Sequence, residues 1–167
     1  MILTIATILR LLSPHASQYT EDVNRLASRY GFDPLLVAAV IHSESRFIRS
    51  ACRSGSHGLM QIQLRPRSCT KTMLTATSQG LYIPRINIKR GVKLMWWWRN
   101  WWRKHHSDKS FHWLLFYNQG FGKCPSGRRS CHRHEREPIQ LGRIGGYAER
   151  VLKTYRKLKS HNTKGVL

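Results

Sequence analysis

Apolar positions along the chain predict helices, not strands. Val23, Leu26, Ala27 and Tyr30 recur at helical spacing behind Thr20 and the acidic pair Glu21-Asp22, and Gly31 supplies a stop. The run Pro34-Leu35-Leu36-Val37-Ala38-Ala39-Val40-Ile41 carries no charge, so it reads as a buried helix. Its start is Asp33-Pro34, an N-cap followed by proline at the first helical position. Residues 45 to 58 are rich in turn formers, and Leu59 to Leu64 is a short helix or an extended piece. A long helix is expected over Ile88 to Lys104, a buried one over Phe111 to Tyr117, and a last one near Gly146 to Leu158. The last helix sets Tyr147, Val151 and Tyr155 on one face, with Arg150, Lys153 and Lys157 outside. No repeat and no parallel-sheet pattern is present, so the fold class is mainly α.

Within the long helix, five tryptophans occur in seven residues, Trp96 to Trp102. They cannot all face one side. Trp97 and Trp101 share a face with Leu94, and Trp98 and Trp102 share the neighbouring face, so some enter the core and at least one stays exposed. Core packing competes here with sugar stacking, membrane-interface contact and base stacking.

One carboxylate stands out by isolation. Glu44 is the only acidic residue between Asp33 and Asp108. It falls at the C-terminal end of the apolar helix, with Val40 and Ile41 one turn behind on its face. Apolar neighbours and the negative end of the helix dipole both raise a carboxyl's pKa, which suits a general acid. The competing reading is a surface glutamate at a frayed helix end. The residues downstream favour the general acid. Gly55 and Gly58 bracket a tight turn, and Leu59-Met60-Gln61-Ile62 resumes an apolar segment able to fold back on Glu44.

These residues carry a resemblance. Glu44-Ser45-x-Phe47 and Gly55-Ser56-x-Gly58-Leu59-Met60-Gln61-Ile62 resemble the catalytic core of lytic transglycosylases of the soluble (SLT) type, relatives of goose-type lysozyme. Pro84-x-x-Asn87-Ile88-x-x-Gly91, Tyr117-Asn118-x-Gly120 and Tyr147-Ala148-x-x-Val151-x-x-Tyr155 come after them in the family's order, so the likeness runs from about Tyr30 to about Tyr155. It implies a lysozyme-like single domain with a substrate cleft, over residues 20–160. Residues 1–19 would then be a signal-like or N-terminal helical segment and 161–167 a basic tail.

The resemblance also implies a reaction. Glu44 would be the single catalytic acid and base, cleaving the β-1,4 bond between N-acetylmuramic acid and N-acetylglucosamine with formation of a 1,6-anhydro sugar, without metal or cofactor. Substrate-binding roles would fall to Met60 and Gln61, to Tyr117 and Asn118, and to Cys52 and Ser56. Cys52 stands where the family usually has serine, and Ser56 where alanine is usual. The interval from Glu44 to Gly55 is about one residue short, and Gln63-Leu64-Arg65-Pro66-Arg67 replaces a proline-threonine turn. These departures bear on rate and specificity more than on reaction class. A lysozyme-like hydrolase needs a second carboxylate, for which Asp108, Glu135, Glu137 and Glu149 are the candidates.

Charge widens the set of partners. The 167-residue chain carries 29 Lys and Arg against 8 Asp and Glu, a net +21. Such a balance calls for a polyanion. Peptidoglycan, with its stem-peptide carboxylates, and an anionic envelope surface both qualify, as does nucleic acid. A non-catalytic nucleic-acid-binding protein and a structural protein of a virion or secretion apparatus are therefore the rival readings; the first leaves the glutamate, glycine turn and Tyr-Asn order unexplained. The apolar run from Met1 to Leu12, broken by Arg10, is too short to span a bilayer and lacks a basic residue before it, so it makes a poor signal peptide. Its alternative is a helix packed on the domain. The expected location is the periplasm or cell envelope, reached by export or by virion delivery.

The four cysteines are Cys52, Cys69, Cys124 and Cys131. Pairing within the 124–131 loop suits an oxidising compartment. A zinc site from Cys124, Cys131, His132 and His134 has the wrong spacing, so loop cysteines are the better reading.

Overall fold

Helix α1, Ile5–Arg10, is capped by Thr4, whose hydroxyl accepts from the Thr7 amide, and it buries Ile8 and Leu9 completely. Residues Ile5–Arg10 of the N-terminal apolar run are thus helical and pack against the elements after them. These details come from a computed structural model that describes residues 4–63, 79–106, 111–114, 117 and 146–163. The described residues fall into two compact units: residues 1–93 with 151–167, and residues 94–150.

In the first unit a 3-10 turn, Ala16–Tyr19, leads into α2, Thr20–Tyr30. Thr20 is the first residue of that helix, and its hydroxyl donates to the Ser17 carbonyl at 2.7 Å. Gly31 ends α2 at φ 65°, the left-handed conformation glycine adopts without a Cβ penalty. Helix α3, Pro34–Ser45, begins as expected: the Asp33 carboxylate accepts from the Leu35 amide at 2.9 Å, and proline comes directly after it. Every residue from Leu35 to Ile41 is buried. At ~1.5–3 kcal/mol for each large apolar side chain withdrawn from water, α3 is the main support of this unit.

The other oxygen of Asp33 accepts from the Tyr155 hydroxyl at 2.9 Å and from Lys159 at 3.3 Å. Both belong to the last helix, α5, Gly146–Thr163, which runs five residues beyond the expected end. Burial, with the bond to Asp33, pushes the Tyr155 pKa up to about 12 from an ordinary 10. A native pKa above the unfolded one means that the native state holds its proton longer, so stability is complete below pH 10 and declines as pH rises toward 12. Denaturation midpoints measured from pH 9 to 12 should fall less steeply for Tyr155→Phe than for the wild type.

The expected turn-rich connection folds as a small antiparallel sheet, ordered β1 (Cys52–Arg53), β2 (Ser56–His57), β3 (Ile62–Gln63). Cys52 pairs with His57 and Arg53 with Ser56, leaving the two-residue turn Ser54-Gly55 with φ 51° and 76°. Positive φ at both central positions matches the right-handed twist of a tight hairpin. His57 also faces Ile62, so β2 is the central strand and Leu59 to Gln63 resolves as a turn followed by extended chain.

Helix α4, Pro84–His105, starts four residues earlier than the pattern suggested, because Pro84 is itself in its first turn. Ile88, Val92 and Met95 are buried along one side. In the second unit Trp98 and Trp102 are buried, while Trp96 and Trp97 are exposed. As expected, some tryptophans are buried and at least one is exposed; the buried pair is Trp98 with Trp102, and Trp101 is half-buried. Trp102 stacks on His106 and His112, and His112, Trp113, Leu114 and Tyr117 are buried. Tyr147, Ala148, Val151, Leu152 and Leu158 are the buried positions of α5.

Candidate active site

Glu44 is half-buried in the last turn of α3, at the end of the fully buried run. The chain leaves the helix abruptly. Arg46 and Phe47 both adopt positive φ, 52° and 64°. For residues with a Cβ this conformation costs on the order of 1 kcal/mol each, and such strain concentrates at functional sites. Phe47 is offset by burial and lies parallel to Tyr19, ring centroids 6.2 Å apart.

Ser45, next to Glu44, holds the glycine turn against the helix end. Its buried hydroxyl donates to the Leu59 carbonyl at 2.7 Å, and it also lies 3.3 Å from the Ile41 carbonyl of its own helix. The segment expected to fold back on the glutamate helix therefore does so, through a bond between the two motifs. Ser45→Ala would leave the Leu59 carbonyl without this donor, at a cost of about 1–2 kcal/mol. Equilibrium unfolding should register that loss.

The turn is fixed from its other side by Asn87, which is completely buried. Its Oδ1 accepts from the Met60 amide at 2.7 Å, and its Nδ2 donates to the carbonyls of His57 and Leu81, each at 2.8 Å. One side chain thus ties together β2, the Gly58–Gln61 turn and the approach to α4. Two glycines make room for it. A Cβ on Gly58, where φ is 74°, would lie 2.3 Å from both Asn87 Nδ2 and the Leu81 carbonyl; one on Gly91 would lie 2.3 Å from the Met60 sulfur.

The residues expected to bind substrate divide by environment. Gln61, at φ 47°, uses its Nε2 on the carbonyls of Gly58 at 2.8 Å and Ala51 at 3.2 Å, so its amide braces the turn and its Oε1 remains an acceptor. Met60 is fully buried, with its side chain packed against Gly91. Ser56 is half-buried in β2. Cys52, which stands where the family usually has serine, is disulfide-bonded, so its sulfur has no proton to donate. Its partner cysteine lies outside the described residues. Tyr117 is a buried helical residue of the second unit. Asn118 lies outside the described residues, as do Asp108, Glu135, Glu137, His132, His134 and the Gly122 to Pro138 stretch; Glu149 is exposed on α5.

Two histidines accompany the site. His57, in the turn's variable position, is buried, with Nδ1 2.9 Å from the Tyr82 hydroxyl and 3.4 Å from the Cys52 sulfur. Burial holds its pKa below the usual value. His42 is also held low, by burial first and then by Arg46 and Lys157. Both imidazoles are therefore neutral at pH 7, and neither adds a cation. The sequence pattern gave no role to Ser45, His57 or Asn87; Asn87, a small amide opening an apolar-and-basic helix, was the one signal it offered.

Known proteins share these motifs. The family model described as the transglycosylase SLT domain matches residues 21–138, which contain both Glu44 and the glycine turn but not the closing helix. Membrane-bound lytic murein transglycosylase C of Haemophilus influenzae strain PittEE is 29% identical over 118 residues, covering 64% of this chain and 32% of the relative. The proteins of that name from strains PittGG and Rd are 28% identical over the same length, with the same shares covered. The chain spans about a third of the length of the curated relatives it matches. No solved structure matches it. With a family model covering well over half of its residues and a mainly helical, lysozyme-like fold, this chain belongs to the transglycosylase SLT domain family.

Proposed function

We propose that the chain is a peptidoglycan lytic transglycosylase that opens the cell wall locally, with Glu44 as its single general acid and base. The observation that supports this reading most is the join between the two motifs: Ser45, which follows the half-buried Glu44 in α3, is bonded to the Leu59 carbonyl of a turn braced by Asn87 and Gln61. Its position in the last turn of a buried helix gives a general acid a fixed backbone to work from.

Glu44 first gives its proton to the glycosidic oxygen as the bond from the muramoyl C1 breaks and oxocarbenium character develops there. The resulting carboxylate then takes the proton of the same sugar's 6-hydroxyl as O6 closes on C1. The 1,6-anhydro ring forms, no water is consumed, and Glu44 regains its proton. Gln61 Oε1 is available to accept from a substrate hydroxyl or acetamido N–H, and Tyr117 and Asn118 are assigned to the substrate by the family motif. Relatives named as membrane-bound murein enzymes support a setting in the cell envelope. No helix among the described residues is long and apolar enough to cross a membrane.

Mass spectrometry of products released from purified peptidoglycan tests the reading. Anhydro-muropeptides are expected from the wild type and none from Glu44→Gln. Reducing ends in their place would assign hydrolysis instead, and no product from either protein would leave a binding or structural role.

A further inference from the structure

We infer that the outer face of α4 is a docking surface for a bilayer rich in anionic phospholipid. The 22-residue helix holds seven Lys and Arg and no Asp or Glu. One side is committed to the interior through Ile88, Val92, Met95, Trp98 and Trp102. Steps of 100° per residue place Ile86, Arg90, Lys93, Trp97 and Lys104 on the opposite side, flanked by Lys89 and Trp96 on one edge and Leu94 on the other. Large apolar side chains stand among these cations: Ile86 and Leu94 are each 37% exposed, Trp96 38% and Trp97 40%. Ile83, just before the helix, is 51% exposed.

That mixture selects the ligand. Indole and aliphatic groups settle at the boundary between headgroups and acyl chains, while ammonium and guanidinium groups reach up to lipid phosphates. The lack of any carboxylate removes repulsion from those phosphates. Nucleic acid would answer the charge and stack on the tryptophans, but it has no use for exposed isoleucine and leucine. Because the helix is too polar to span a bilayer, it lies along the surface, with a footprint of about 33 Å. This surface is independent of the chemistry at Glu44.

Vesicle co-sedimentation of the whole chain tests it. Charge of +21 draws any such protein to anionic vesicles, so the deciding variant keeps every charge: Leu94→Ser with Trp96→Ser and Trp97→Ser. With vesicles of equal phosphatidylglycerol and phosphatidylcholine at ~0.15 M salt, the wild type should bind, and the variant should partition about tenfold or more weakly. Phosphatidylcholine alone should bind neither protein well. The wild type supplies a second readout that needs no substitution: lipids brominated in the acyl chain should quench its tryptophan emission on binding. The inference is overturned by wild-type binding without quenching, by equal partition of a folded variant, or by no binding. A variant whose defect appears with duplex DNA but not with vesicles overturns it in favour of nucleic acid.

Discussion

Glu44→Gln should lower the rate of glycan cleavage by about three orders of magnitude or more, yet leave the protein at least as stable as the wild type. The rate estimate follows from what a positioned proton donor and acceptor supplies, roughly 10²–10⁴-fold, here with one group serving both steps. The stability estimate has a separate origin. Glu44 lies half-buried at the C-terminal end of α3, so an uncharged side chain of equal size keeps the packing and costs the helix terminus no favourable dipole interaction. Unfolding in urea and turnover of labelled peptidoglycan should therefore move in opposite directions or independently. Retention of a tenth or more of the activity would remove Glu44 from the mechanism, and a large loss of stability would mean that it holds the fold instead.

Asn87→Leu should destabilise the protein more than Ser45→Ala or Glu44→Gln, by about 3 kcal/mol or more. Leucine fills a similar volume but removes the partners of three groups: the Met60 amide and the carbonyls of His57 and Leu81. Each buried polar group left unpaired costs ~1–3 kcal/mol, and some relaxation will keep the sum below full additivity. For a chain of this size the loss corresponds to a melting temperature lower by roughly 10 °C. Asn87→Asp supplies a contrast: it keeps the acceptor for Met60 but sets carboxylate oxygen against two carbonyls. If Asn87→Leu shifts stability by less than about 1 kcal/mol, the turn is held elsewhere.

These two residues illustrate what could be read from sequence and what could not. The place of Glu44 at the end of a buried helix was legible because that helix announces itself: Asp33-Pro34 opens it and an unbroken apolar run fills it. Helical periodicity likewise paired Trp98 with Trp102 on one face, though it did not say which face of the helix would be buried. Asn87 was visible as a motif letter but not as a hub, since its three partners lie 6 to 30 residues away and no local pattern records them. The small sheet was missed because strands of two residues are too short to display alternation. The left-handed backbone at Arg46 and Phe47 had no glycine to signal it, and nothing around Cys52 in the sequence marked it as disulfide-bonded.

The cluster of left-handed residues has a practical consequence for anyone seeking a hardier form of this domain. Arg46, Phe47, Ser54 and Gln61 all have positive φ, so a backbone-based design method would offer glycine at each. At Gln61 that exchange would discard the amide bracing Ala51 and Gly58, and at Phe47 the ring buried beside Tyr19. The tension in this segment is the means by which it keeps its aim, and relieving it would give a calmer scaffold with a slack turn. Thermal improvement is better sought on the exposed sides of α2 and α5, where helix-favouring substitutions leave residues 44–61 untouched.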